Sequence, residues 1–341
     1  MSKLAARSTQ PAKRSGSSGK GAMNGFISST SDYYIHGIDT LGWELTVCNA
    51  LYPANSPCRR ILKRNDSYGN LLYDYLGRFL PMGEIRSVIE IGGGYGYLMR
   101  DFLTKSPSLK VTMLEISPFL SKKQRETLED HTATYIVEDF LDTGIGMLSG
   151  KDMAVLNENL GDFPTLVNIR KGILRGSFHG MEEHTEQLRR LFDTYGFEEP
   201  QTEPFTVNMG AIEAVERLCL AGIPYIFVGE HSCEARVPDR YRGVVRVSSD
   251  GNPEKIALRG HDEYTIKFSH LEKVARSFHY RTIRGPFADF LEIDFNDRIR
   301  NIMISPFAVS DEHEIIRQFV EDLYQYEYLI LLKYGGDYGR A

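Results

Sequence analysis

The spacing of apolar positions changes several times along the chain, and each change marks an element. Leu71, Leu72, Tyr75, Leu76 and Phe79 recur at i, i+3/i+4 spacing, which predicts a helix over 66–80 with one buried face. Asp66 or Ser67 is placed to cap it, and Gly83 breaks the chain after it. An earlier helix is expected to open at Thr40-Leu-Gly-Trp-Glu-Leu. Short apolar runs then alternate with amphipathic ones. Ser87-Val-Ile-Glu-Ile reads as a strand, and Tyr97–Thr104 as a helix with Leu98, Phe102 and Leu103 inward. Residues 110–116, 134–139 and 152–157 read as further strands, with a helix over Ser117–Glu129 that carries Pro118 in its first turn. Strands alternating with helices predict an α/β fold with a doubly wound, mostly parallel sheet.

Beyond this block the pattern predicts helices over 180–194 and 209–221, a buried strand over 224–230, and irregular β-rich chain from Val244. Phe268–Phe278 reads as one more amphipathic helix and Asp311–Tyr334 as a long C-terminal one. The expected organisation is a tail over 1–24, a helical N-terminal extension or lid over 25–80, and a main α/β domain over 81–310. That domain carries a helical insertion at about 176–222 and is followed by a C-terminal helix over 311–341.

Composition narrows the classes. The 341-residue chain is 42% hydrophobic and 25% charged, enough to bury a core without staples. A formal net charge of −6 gives no dominant basic surface for duplex nucleic acid. Cys48, Cys58, Cys219 and Cys233 form no CxxC pair, so free thiols in a reducing, cytoplasmic setting are expected and no metal site is. No apolar run approaches the roughly 18 residues of a membrane span. Residues 1–24 carry Lys3, Arg7, Lys13, Arg14 and Lys20 and no acid, and read as a disordered tail. Organelle transit peptides share that acid-poor, Arg- and Ser-containing composition.

The chemistry concentrates after the first strand of the alternating block. Gly92-Gly93-Gly94-Tyr95-Gly96-Tyr97 lies between a strand and a helix, where glycine lets a ligand approach the backbone and the helix N-terminus offers free N–H groups. A dinucleotide fingerprint needs a third glycine where Tyr97 stands, which argues against a nicotinamide-dependent oxidoreductase. Glu115 ends the second strand of the block, where a carboxylate can accept both hydroxyls of a ribose, with Ile116 beside it. Glu138, Asp139 and Phe140 end the third, suited to an adenine amino group and ring.

Glu90 followed by G-x-G-x-G resembles motif I of the class I methyltransferases that use S-adenosylmethionine (SAM). The likeness extends further. Tyr68-Gly-Asn-Leu-Leu, Ile89-Glu-Ile-Gly-Gly-Gly-Tyr-Gly-Tyr-Leu-Met-Arg-Asp-Phe-Leu, Leu114-Glu-Ile-Ser-Pro-Phe-Leu-Ser-Lys-Lys-Gln and Leu156-Asn-Glu-Asn-Leu-Gly-Asp-Phe-Pro resemble motifs of the MidA-type (DUF185) methyltransferases. That group includes the mitochondrial complex I assembly methyltransferase. The resemblance is good over 68–165 and faint to Leu291, where Tyr264–Leu271 and Gly285–Leu291 echo later segments. It departs at Gly229-Glu-His-Ser-Cys and at the extra residue in Asn-Glu-Asn-Leu-Gly-Asp.

The resemblance implies a Rossmann-like class I methyltransferase fold. It implies SAM as cofactor and S-adenosylhomocysteine as product. It implies cofactor contacts from Glu90, Gly92, Gly93, Gly94, Gly96, Glu115, Ile116, Asp139, Phe140 and Asn157. It also implies methyl transfer to a nucleophile such as a protein arginine. A small-molecule O- or N-methyltransferase and a non-catalytic SAM-fold assembly protein are the alternatives. Glu158 is the candidate for orienting or deprotonating the acceptor, with Asn157 as a second polar group, Asp162 a third, and a plain loop or cap role as the competing reading for Glu158. His179 and His184 flank Glu182 and Glu183 without H-E-x-x-H spacing. Glu230–Cys233 lacks a nucleophile elbow and is expected to line the acceptor side, and His261-Asp-Glu is expected to be a solvated turn.

Overall fold

The computed structural model describes residues 26–41, 46–174, 182–258, 260–305, 307 and 309–334. The strands, in chain order, are β1 (Phe26–Ser28), β2 (Ser87–Ile91), β3 (Lys110–Glu115), β4 (Ala133–Val137), β5 (Met153–Asn157), β6 (Thr165–Ile169), β7 (Phe205–Val207), β8 (Tyr225–His231), β9 (Lys255–Ala257), β10 (Asp262–Tyr264), β11 (Tyr280–Pro286) and β12 (Tyr326–Lys333). The helices are α1 (Val47–Ala50), α2 (Pro57–Arg60), α3 (Tyr68–Leu76), α4 (Tyr97–Lys105), α5 (Pro118–Thr127), α6 (Ile145–Leu148), α7 (Glu182–Tyr195), α8 (Met209–Leu220), α9 (Phe268–Ser277), α10 (Asp297–Ile304) and α11 (Asp311–Gln325).

Seven strands form the main sheet in the order β11-β12-β8-β5-β2-β3-β4. β4, β3, β2, β5 and β8 run parallel, while β12 lies antiparallel between β8 and β11. Parallel strands need helical crossovers that cover both faces, which explains why β2, β5 and β8 are almost wholly apolar and buried. One face packs under α3, α4 and α11 through residues such as Leu72, Leu76, Phe102 and Val320. The other packs under α8 and α9 through Ile89, Leu156, Val215, Leu218 and Leu271. This is the Rossmann-like α/β arrangement that the alternating pattern predicts. Its strand order reverses at β2, so the crevice opens at the C-terminal ends of β2, β3 and β5.

Several expected elements take another form. The C-terminal helix expected over 311–341 ends at Gln325, and Tyr326–Lys333 is a strand. Tyr-Glu-Tyr-Leu-Ile-Leu-Leu is buried on both faces between β8 and β11, so the apolar run carries no period that separates strand from helix. The N-terminal extension over 25–80 is not wholly helical. It contributes β1, which joins β6 and β7 in a separate three-stranded sheet. The insertion at about 176–222 likewise contains β7 between α7 and α8. Phe79 lies past the end of α3 and is exposed, whereas Leu71, Leu72, Tyr75 and Leu76 are buried as expected. The tail over 1–24, His179 and most of the Thr40–Leu45 helix start lie outside the described residues. Among the described residues, no helix is long and apolar enough to cross a membrane, and all four cysteines are free.

Candidate functional site

A cleft opens over the C-terminal ends of β2, β3 and β5. Its floor is the loop from Gly92 to Gly96. Gly92, Gly94 and Gly96 adopt φ of +62°, +54° and +81°, a region that strains residues with a Cβ. Gly93 is required for space: a Cβ there would fall 2.5 Å from Glu90 Oε2. The loop is pinned from both sides. Gly92 N–H donates to Leu114 O at 2.9 Å, and Asn159 Nδ2 donates to Ile91 O at 2.5 Å. Gly96 is the N-cap of α4, so the first turn of that helix begins at the cleft.

Glu115 closes β3 with its side chain buried. Oε1 accepts from Ser117 N–H at 3.1 Å, and Oε2 accepts from Gln124 Nε2 at 2.9 Å. The same Gln124 amide donates to Gly94 O at 3.1 Å, so one side chain fixes the acid and the glycine loop together. This accounts physically for the Glu-Ile-Ser-Pro…Gln spacing. Ser117 also caps α5 through Leu120 N–H, and Gln124 lies two turns along that helix. Burial pushes the Glu115 carboxyl up to about 7, against these hydrogen bonds that lower it. Glu90 lies under the loop with Oε2 accepting no hydrogen bond, and burial and the nearby Glu115 both raise its carboxyl.

Asp139 accepts from Leu141 N–H at 2.9 Å, which turns the chain after β4 and brings Phe140 to the cleft wall. Phe140 packs edge-on against Phe163 at 6.2 Å, and Ile116 and Glu138 line the same wall. The structure thus brings together Glu90, Gly92, Gly93, Gly94, Glu115, Ile116, Asp139, Phe140 and Asn157 around one cleft, while Gly96 does not line it and instead N-caps α4. Tyr97, in place of a third glycine, does not wedge α4 from the sheet. Its ring stacks on Tyr52 at 3.5 Å, with the Arg100 guanidinium 5.8 Å from its centroid.

Beyond β5 the cleft is walled by acids. Glu158 sits in the left-handed region at φ 56°, its own N–H bonded to Gly229 O at 2.7 Å. Oε2 accepts from Val47 N–H at 2.5 Å, and Oε1 accepts from Cys48 N–H at 3.1 Å and Asn157 Nδ2 at 3.0 Å. The competing reading of Glu158 as a helix cap therefore has direct support: it caps α1. Asn157 in turn accepts from Tyr68 O–H at 2.5 Å. Glu230, at the end of β8, accepts from His231 N–H at 2.8 Å and Gly161 N–H at 3.2 Å. Burial raises Glu158 to about 8 and Glu230 to about 7, and the two carboxylates repel one another, which adds to the rise at Glu158. Tyr326, stacked on His231 at 3.7 Å, completes this wall from β12.

His261-Asp-Glu is not a solvated turn. The His261 side chain is buried under Tyr33, stacked at 4.3 Å, and its Nε2 reaches Glu263 and Asp162. The packing comes from Tyr33 and Tyr34, more than 200 residues earlier, which is why local polarity misleads. Tyr34 O–H donates to Asp162 Oδ2 at 3.0 Å, and Leu41 N–H donates to Tyr95 O–H at 2.7 Å, so the N-terminal segment spans the cleft mouth. Sequence reasoning missed Gln124 as a tether, and missed Asn159, Tyr34 and Tyr326. Only the Gln124 spacing was visible in the chain.

Residues 76–196, which run from the end of α3 to just past α7, match the family model Methyltransf_28, described as "Putative S-adenosyl-L-methionine-dependent methyltransferase". The matched stretch runs through β2 to β6 and so includes the whole glycine loop. No curated protein matches the sequence. Among solved structures, an uncharacterized COG1565 superfamily protein from Burkholderia thailandensis is 16% identical with a TM-score of 0.49, covering 86% of this chain and 87% of that one. A COG1565 superfamily member from the same organism, bound to S-adenosyl-homocysteine, is 16% identical with a TM-score of 0.48, covering 84% and 78%. The mitomycin 7-O-methyltransferase MmcR is 13% identical with a TM-score of 0.39, covering 78% of this chain; this chain spans about half of that protein, 52%.

The residues present fit SAM. The glycine loop leaves backbone open to a ligand, and Glu115 offers a buried carboxylate on the cleft lining, which would suit the two hydroxyls of a ribose. Two expectations follow. Valine at Gly94 must adopt φ near +54° and would put a Cβ 3.2 Å from Leu41 Cδ2. Strain of about 1–3 kcal/mol then weakens SAM roughly tenfold or more, readable by calorimetry. The second concerns pH. Two hydroxyl donors favour the ionised Glu115, whose unliganded carboxyl is raised to about 7. SAM affinity should therefore fall as pH drops below 7, and this dependence should be absent in Glu115→Gln. The same shift makes the unliganded fold's contribution from Glu115 full below the reference value of 4.5, and lost as pH rises through about 7.

Proposed function

We propose that the cleft holds SAM on Gly92–Gly96, Glu115 and the Asp139–Phe140 wall, as a MidA-type methyltransferase, and that the acceptor is a cationic nitrogen of a protein side chain, arginine first. Bound there, SAM supplies an electrophilic methyl group on a sulfonium. The observation that carries the acceptor reading is the pairing of partly buried Glu158 with buried Glu230, both raised well above the usual carboxylate range by desolvation. Among the described residues, no ion pair with lysine or arginine involves either. Buried carboxylates without cations are costly, and an incoming guanidinium or ammonium offsets that cost.

A count of lone pairs supports the same reading. Each carboxylate oxygen accepts about two hydrogen bonds. Glu158 Oε1 already accepts two and Oε2 one, while each Glu230 oxygen accepts one. Three acceptor positions remain, matching the fork of a guanidinium. A nitrogen acceptor must also release a proton, and carboxyls at about 7 and about 8 are poised to take it near neutral pH. Tyr326 lines the same wall beside these acids. The four free cysteines support a reducing, cytoplasmic setting.

Tritiated-methyl SAM incubated with host lysate and with arginine- and lysine-containing peptides tests the acceptor. The expected label is protein-bound, stable to base, and recovered as methylated arginine or lysine after hydrolysis. Label confined to small molecules, or released by base as from an oxygen ester, contradicts the acceptor reading. Absence of any label with SAM still bound would favour a non-catalytic SAM-fold protein.

A further inference from the structure

Asp162, His261 and Glu263 come from two stretches of chain about 100 residues apart and meet at the rim of the cleft. His261 Nε2 lies 3.0 Å from Glu263 Oε1 and 3.7 Å from Asp162 Oδ1, and the three ligand atoms all lie within 4.8 Å of one another. Nitrogen and oxygen ligands bind divalent transition ions at roughly 2.0–2.2 Å, which sets neighbouring ligand atoms about 3–3.6 Å apart. Small rotations of the carboxylates would reach that triangle.

The surroundings orient the ligand atoms of Asp162 and His261. Tyr34 O–H holds Asp162 Oδ2, which leaves Oδ1 toward His261. That Oδ1 is shut from solvent and accepts no hydrogen bond. The His261 side chain is only 4% exposed, and stacking on Tyr33 fixes its plane. Gly260, at φ +101°, leaves the room Tyr33 needs, since a Cβ there would approach the ring to 2.7 Å. Among the described residues, no lysine or arginine pairs with Asp162.

We propose that Asp162, His261 and Glu263 form a divalent-cation site at the acceptor rim. One imidazole and two carboxylates suit Zn²⁺ or Mn²⁺ better than the all-oxygen preference of Ca²⁺. Three protein ligands leave a coordination position open, as in catalytic rather than structural sites. The ion ties β10 to the Leu160–Asp162 turn and, through Tyr34, to the N-terminal segment across the cleft mouth. The site stands independently of the acceptor proposal, which rests on Glu158 and Glu230.

The full chain, stripped with chelator and exchanged into metal-free buffer, is titrated with ZnCl₂ and separately with MnCl₂ by calorimetry. The Mn²⁺ arm avoids the free thiols. One equivalent per chain is expected, weakened at least tenfold in His261→Ala and in the isosteric Asp162→Asn, with SAM binding kept in both. A wild-type chain that takes up neither ion stoichiometrically overturns the site. So does uptake that is unchanged in Asp162→Asn, a variant that preserves shape should His261→Ala fail to fold.

Discussion

Alanine in place of Glu115 is expected to weaken SAM binding by roughly 100- to 1000-fold while the fold survives. A hydrogen bond to a charged group contributes about 1.5–3 kcal/mol, and a ribose presents two hydroxyls to one carboxylate. Two such bonds amount to about 3–4 kcal/mol at the cautious end, and each 1.4 kcal/mol is tenfold in affinity. The fold should tolerate the change because burial already disfavours the Glu115 carboxylate, holding it up near 7. Gln124 keeps its bond to Gly94 O, so the glycine loop stays tethered. Ser117 N–H loses an acceptor, a local cost of about 1–3 kcal/mol. Calorimetry with SAM, alongside a circular-dichroism melt, reads both quantities. Wild-type affinity in a folded Glu115→Ala would remove Glu115 from the cofactor site.

Removing the acids on the far wall should leave SAM bound and stop transfer. Positioned acid–base groups contribute about 10²–10⁴-fold. Glu230→Gln is the cleaner variant, because each Glu230 oxygen holds a single backbone N–H and the amide keeps the shape. It is expected to lower turnover at least about 100-fold, with SAM affinity within a few-fold of wild type. Glu158→Ala should lose as much turnover and also some stability, because Val47 and Cys48 N–H lose the carboxylate that caps α1. Single-turnover transfer to an arginine peptide, measured beside SAM affinity, separates the two effects. Unchanged transfer in Glu230→Gln would end its assignment as an acceptor group.

The glycine-loop half of the cleft was legible in the chain because its elements are local. β2, β3 and β5 are short apolar runs that end at chemistry, and α4 and α5 have one apolar face each. The Gln124 spacing was visible as a pattern, and the structure supplies its cause, a single amide shared between Glu115 and Gly94.

The opposite wall, with Glu158, Glu230 and His261, was not legible because its positions depend on distant partners. β12 reads as a continuation of α11, since no glycine or proline divides them at Gln325–Tyr326 and both faces of the strand are buried. His261 looks solvated until Tyr33 covers it. Glu158 is a residue in a strained conformation whose carboxylate reaches back to α1, a contact 110 residues away in sequence. β1, β6 and β7 are too short, or too far apart, to announce their sheet.

The central claim is that the cleft over Gly92–Gly96 and Glu115 is a SAM site. Calorimetric titration of the full chain with SAM, S-adenosylhomocysteine, NAD and NADP tests it most directly. One equivalent of SAM and of S-adenosylhomocysteine should bind, both should be lost together in Glu115→Ala, and neither nicotinamide dinucleotide should compete. Tight binding of NAD with no binding of SAM would contradict it.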